Sequence, residues 1–184
     1  VDNTGIWRTR EDLEKHVQVP GASKVILTAP AKGDVPNIVY GVNHHGMIES
    51  GDVLSAASCT TNAIVPVLKA VNDEFEIRSG HIESIHAFTN DQNLIDNYHR
   101  KERRGRAAPL NMVVTETGAA KAVAKCLPEL AGKLTGNAIR VPTPNVSLAV
   151  MSLNLGKATT AEDLNAYLLK VSLEGDLQNQ IDFA

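Results

Sequence analysis

The sequence predicts an α/β chain running on into an α+β one. The tail of a doubly wound parallel sheet joins a domain of longer strands and intervening helices, with a seam near Ala57-Ser58. Three observations predict this. KVILTAP (24–30) is an apolar run too short for a helix, the pattern of a strand buried on both faces. After Ser58 the hydrophobic period becomes helical. From His81 onward, longer alternating strand-like runs take over.

Each element has its own signal. Thr9 with Asp12 is a capping-box-like start for a short helix with Leu13, His16 and Val17 on its buried stripe, stopped by Pro20-Gly21. KVILTAP, NIVYGV (37–42) and Asp52 to Ala56 read as three strands. Ala63, Ile64, Val67, Leu68 and Val71 fall at helical spacing, so a helix starts close to Cys59, with Pro66 expected in its early turns. IESIHAFT, after His81, alternates as a half-buried strand. Residues 90–114 form a long polar connection of the kind that is functional or disordered. Thr117-Gly118 opens the helix AAKAVAKCLPEL, which Pro128 helps to end. Asn137 to Val141 and Asn145 to Leu155 read as further strands. Thr160 with Asp163 caps a last amphipathic helix bearing Leu164, Tyr167, Leu168 and Val171.

Composition narrows the function classes. Hydrophobic residues at 43 % and charged residues at 21 % suit a packed globular chain and exclude wholesale disorder. Eighteen basic against twenty-one acidic side chains leave −3, which argues against nucleic acid or an anionic membrane as main partner. Aromatic residues at 4 % leave few stacking platforms for single strands. No apolar run approaches the roughly 20 residues of a membrane span. VDNTGIWRTRED lacks both an initiating Met and the basic-then-apolar order of a signal peptide, so an internal segment of a longer chain is expected. Two distant cysteines suit a reducing, cytoplasmic setting.

Cys59 is the sharpest chemical candidate. It follows a strand and opens a helix, where unpaired backbone N–H groups and the positive end of the dipole favour thiolate. The plainer alternative is a small buried hydrophobe, which Cys126, on an apolar helix stripe, fits better. A nucleophilic thiol needs a base, and His86 lies on the next strand facing the same side as Ser84 and Phe88. A half-buried structural histidine would read the same way. His44-His45 has no further ligands at metal spacing, so no metal is expected. Arg103, Arg104 and Arg106 in the long loop, and Arg140 at a strand end, could bind phosphate through planar guanidinium groups. Thr117-Gly118 could add backbone donors. Without other information, a solvated loop with Glu102 as partner is the better reading of the arginine run.

SCTTN (58–62), HAFTNDQ (86–92), RRGRAA (103–108), TETGAAKAV (115–123) and RVPTPNVS (140–147) together resemble phosphorylating glyceraldehyde-3-phosphate dehydrogenase, in order and along essentially the whole chain. The resemblance is to the middle of the family subunit. It implies residues 1–57 as the C-terminal part of a Rossmann-type dinucleotide-binding domain and 58–184 as an incomplete mixed-sheet catalytic domain. The family's glycine-rich first turn and ribose-binding acidic residue have no counterpart in these residues.

The implied activity is oxidation of glyceraldehyde 3-phosphate, with inorganic phosphate and NAD or NADP, through a thioester on Cys59 with His86 as base. Thr89 and Arg140 match one phosphate site of the family. Ser58, Thr60, Arg104, Thr117 and Gly118 match the other. Thr4, Gly5 and Thr28 match the cofactor groove, and residues 90–108 match a loop at the subunit interface of the family homotetramer. Val150 stands where most members carry an acidic residue. DNYH (96–99) is similar to erythrose-4-phosphate dehydrogenases, yet Thr89 and Thr117, which those enzymes typically lose, are both present. A truncated, catalytically silent binding or assembly module is the remaining alternative, and the 184 residues alone are expected to be inactive.

Overall fold

The computed structural model describes residues 1–46, 49 and 51–184. These divide into two compact units, residues 1–76, 122–131 and 155–184, and residues 77–121 and 132–154. The α/β plus mixed-sheet α+β class read from the sequence is the class observed.

In the first unit, helix α1 (Arg10–Val17) is capped by Thr9, whose hydroxyl accepts from the Asp12 N–H. Leu13 on its inner face is fully buried with Val25, Leu27, Ala31, Val35 and Val53, and Trp7 and Val17 close the margin. Strands β1 (Val25–Leu27) and β2 (Val53–Ser55) pair in parallel, Val25 opposite Val53. KVILTAP is thus a strand for three residues only. Beyond Leu27 the Thr28 N–H turns to the Asp2 carbonyl, and Asp2 bridges Leu27.

NIVYGV does not form the expected strand. Asn37 makes one bridge to Ser55, after which side chains capture the ladder donors. The Val39 N–H donates to Asn43 Oδ1 and the Gly41 N–H to His44 Nδ1, the local competition that turns asparagine-rich segments into loops. Gly41 is required there. Its φ is +81°, and a Cβ would sit 2.7 Å from the Asp176 carbonyl oxygen.

Helix α2 (Cys59–Phe75) begins where the period predicted, capped by Ser58, with Ile64, Val65, Leu68 and Val71 buried. Pro66 lies two turns in rather than at the start, and is itself buried, so the interrupted hydrogen bond is offset by packing. Phe75 meets Tyr167 of α4 (Ala161–Leu173) edge to face at 5.5 Å. Thr160 caps α4 as expected. Its apolar stripe is only half-covered: Leu164, Tyr167, Leu168 and Val171 are all partly exposed.

The second unit is a four-stranded sheet in the order β4 (Val113–Thr115), β5 (Leu134–Val141), β3 (Ile77–Ala87), β6 (Ser147–Leu155). Strand β3 starts before His81 and stops short of Phe88. It pairs in parallel with β5, Gly80 opposite Leu134 and His86 opposite Arg140. Strand β4 lies antiparallel on β5, and β6 lies beside β3.

The connection at 90–114 is ordered rather than structureless. Asn93 Nδ2 reaches the carbonyls of Asn97 and Tyr98, and the Ala107 N–H donates to Asp96 Oδ1. A 3-10 turn (Glu102–Gly105) and β4 complete it. Gly105 faces the Asn97 carbonyl oxygen so closely that a Cβ would stand 2.5 Å from it. Helix α3 covers Ala119–Cys126 and gives way to a 3-10 turn at Pro128. Among the described residues no helix is long and apolar enough to cross a membrane.

Candidate active site

The cysteine at the head of α2 sits on a tightly held turn. Ser55 Oγ donates to the Ala29 carbonyl and accepts from the Ala57 N–H, and Ala57 takes a left-handed φ of 59° although it has a side chain. Ser58 follows as N-cap, its Oγ accepting from the Thr61 N–H at 3.0 Å and lying 2.6 Å from Thr61 Oγ1. Cys59 is the first residue of the helix and is exposed, with Thr60 partly exposed beside it in the same turn. A helix start leaves backbone donors directed toward a group in this position. Cys126 is the opposite case. It is buried, its thiol donates to the Asn37 carbonyl at 3.5 Å, and burial pushes its pKa up to about 11.

Thr4, Gly5 and Thr28 belong to the same unit, at the carboxyl end of β1. The Thr4 N–H and hydroxyl both donate to Asp2 Oδ1 at 2.9 Å, and the Thr28 hydroxyl donates to the Asp2 carbonyl. His16 Nε2 lies 2.8 Å from Asp2 Oδ2, and this hydrogen bond, ahead of the Thr4 bonds, holds the Asp2 carboxyl below its ordinary pKa. Gly5 has a φ of +74° and open space where a Cβ would be.

In the second unit, His86 and Arg140 come together at the carboxyl ends of two parallel strands, the usual ligand-binding end of such a sheet. Arg140 Nη1 lies 2.8 Å from His86 Nδ1 and 3.1 Å from the Ala87 carbonyl oxygen, while His86 Nδ1 is 2.7 Å from that same oxygen. The two contacts of Nδ1 exclude each other. It accepts from Arg140 when bare and donates to Ala87 when protonated.

Arg104 is buried, at 5 % exposure, which corrects the solvated-loop reading. Its partner is not Glu102. Nη1 donates to Asp91 Oδ2, Nε to Thr115 Oγ1 at 3.1 Å and Nη2 to the Glu116 carbonyl at 3.5 Å. Burial first, and then the charge of Arg140, lower its pKa, while Glu116 opposes them. Arg103 and Arg106 remain exposed, Arg106 3.4 Å from Asp96.

Thr89 Oγ1 accepts weakly from the Asp91 N–H at 3.4 Å, and Thr117 Oγ1 accepts from the Ala119 N–H at 3.1 Å. Gly118 is exposed, with nothing near the place of a Cβ. Sequence reasoning missed Asp91, Thr115 and Glu116. The aspartate stands inside HAFTNDQ, two residues after Thr89, but nothing in its spacing announces a guanidinium partner thirteen residues on.

One unit carries a strand-to-helix cysteine, and the other carries His86 and Arg140 at the carboxyl ends of parallel strands, which places the chain among α/β proteins. The family model for the glyceraldehyde 3-phosphate dehydrogenase C-terminal domain matches residues 58–184. The chain belongs to the glyceraldehyde-3-phosphate dehydrogenase family.

It is 63 % identical over 183 residues to a glyceraldehyde-3-phosphate dehydrogenase-like protein of Pseudomonas aeruginosa, covering 100 % of this chain and 40 % of the relative. Against glyceraldehyde-3-phosphate dehydrogenase 1 of Bacillus subtilis the identity is 47 % over 185 residues, 100 % of this chain and 55 % of that one. The chloroplastic glyceraldehyde-3-phosphate dehydrogenase A of Zea mays is 48 % identical over 165 residues, 90 % of this chain and 41 % of the relative. The chain spans about half the length of the curated relatives it matches.

Proposed function

We propose that these residues are the middle of an enzyme that oxidises glyceraldehyde 3-phosphate to 1,3-bisphosphoglycerate with inorganic phosphate and NAD or NADP. Residues 1–57 would complete the dinucleotide-binding domain and 58–184 would belong to the catalytic domain, a seam supported by the family match beginning at residue 58. The observation that carries the reading is the pair of arginines on the second unit. Arg140 at a strand end and the buried Arg104, each with hydroxyl groups near it in sequence or space, are a pattern suited to two phosphate groups.

In this reading Cys59 Sγ attacks the aldehyde carbon, forming a C–S bond, and His86 takes the proton of the resulting hydroxyl. The His86 tautomer with Nδ1–H donating to the Ala87 carbonyl keeps the Nε2 lone pair as the base. Arg140 and Thr89 hold the substrate's phosphate. Arg140 then leaves His86 Nδ1 for the ligand, which favours that tautomer. A nicotinamide, when bound, would supply the acceptor for the hydride that leaves the same carbon. Inorganic phosphate, held by Arg104, Ser58, Thr60, Thr117 and Gly118, attacks the thioester carbonyl, the C–S bond breaks and the thiolate returns.

Thr4, Gly5 and Thr28, at the carboxyl end of β1, would line the dinucleotide groove. Gly5 offers open backbone, and Thr4 and Thr28 are exposed and steadied by Asp2. A homotetramer, with residues 90–108 at its interface, is the assembly the family suggests. The reaction needs a reducing compartment, the cytoplasm in the simplest case, because an oxidised Cys59 is no nucleophile. The relatives' names do not favour the erythrose-4-phosphate or the silent-module alternative.

The test is steady-state kinetics on the full-length protein. Arg140→Ala should raise KM for the phosphosugar and Arg104→Ala that for inorganic phosphate, each by the about 1.5–3 kcal/mol of a charge-assisted hydrogen bond, about 13- to 160-fold. Indifference of both constants would refute the assignment.

A further inference from the structure

The Arg104 guanidinium already has an anion. Asp91 Oδ2 accepts from its Nη1, Thr115 from its Nε and the Glu116 carbonyl from its Nη2, so every nitrogen of the buried fork is engaged by the protein itself. The pair is uneven. The Arg104 side chain is 6 % exposed and fixed from three sides, whereas that of Asp91 is 41 % exposed and sits on the turn after Thr89. A charge buried beside another cation, Arg140, is costly unless an anion accompanies it. Asp91 is that anion when no ligand is bound.

The geometry points to Asp91 as the residue that sets the affinity for inorganic phosphate, by occupying Arg104 as an internal competitor. The inference rests on the reading of Arg104 as a phosphate ligand. Phosphate brings its own negative charge to a fork whose Nη1 is held by a carboxylate. It must either displace Asp91 into solvent, which the exposure of that side chain permits, or bind beside it against like-charge repulsion. Either route makes the aspartate a brake on phosphate binding. The same contact keeps the empty fork neutralised and aimed, which explains why a carboxylate is tolerated in a site for anions. Asp91 acts through Arg104 and is a positioning residue, not a catalytic one.

Asp91→Asn tests this, because the amide oxygen still accepts from Nη1 while the charge is gone. In the full-length enzyme, KM for inorganic phosphate should fall about three- to twentyfold at low salt. The gain should shrink as ionic strength rises, since one screened charge is responsible. KM for the aldehyde should move less than KM for phosphate. Asp91→Ser is the second variant, for use if the amide fails to fold, and the same direction is expected. An unchanged or raised phosphate KM in Asp91→Asn, with Arg104→Ala still raising it, would overturn the competitor role and leave the phosphate reading standing. An Arg104→Ala enzyme with unchanged phosphate KM would remove the reading and this inference together.

Discussion

At the scale of single residues, the two cysteines should behave as different functional groups although both are thiols. Cys59 is exposed at a helix start, and Cys126 is buried with its pKa pushed up to about 11. Iodoacetamide added to the full-length protein near neutral pH should alkylate Cys59 first, as mapped by mass spectrometry, because only the thiolate reacts. The sign for Cys126 follows from its raised value. Below pH 9 its thiol stays protonated, and labelling there should climb only as pH approaches 11. Equal labelling at pH 7 would contradict both environments. His86 and Arg140 teach a related point. Sequence places them fifty-four positions apart, and the parallel register sets them side by side at 2.8 Å.

Elements depend on how closely their backbones approach. In the second unit β3 is sandwiched between β5 and β6, and Gly80 lies where all three crowd together. A Cβ at this position would stand 2.6 Å from Leu153 Cδ2, 2.9 Å from the Ser152 carbonyl oxygen and 3.2 Å from Leu134 Cδ2. The leucine tips can give, but the Ser152 backbone cannot without shifting β6. Gly80→Ala should therefore destabilise the protein by about 1–3 kcal/mol, the usual cost of overpacking, seen as a lower denaturant midpoint. A midpoint equal to or above that of the parent would mean that β6 moves aside freely. The helices are the most legible elements, because α1 and α4 announce themselves by period and cap together and α2 by period. NIVYGV reads as a strand but forms none, because apolar β-branched residues alone make no ladder when Asn43 and His44 supply competing acceptors.

For the whole molecule, the expectation is that the 184 residues by themselves reduce no nicotinamide. Thr28 follows β1, and Thr4 and Gly5 follow Asp2, which bridges Leu27, but residues 1–184 contain no G-x-G-x-x-G turn to receive a pyrophosphate. Expressing residues 1–184 and following absorbance of the reduced cofactor, with substrate, phosphate and either NAD or NADP, checks it. Robust turnover would show that the phosphate-binding turn is dispensable. The sequence by itself determined the class of fold, the start of the helix at Cys59 and the family, because caps, periods and short motifs are local and survive being read one after another. Only the tertiary structure decided that Arg104 is buried, that Asp91 rather than Glu102 holds it, and that His86 shares a hydrogen-bonding group with Arg140. Those facts depend on strand register and loop closure, which bring together residues that no local pattern links, and on burial, which makes an ion pair obligatory where the same side chains in water would not need one.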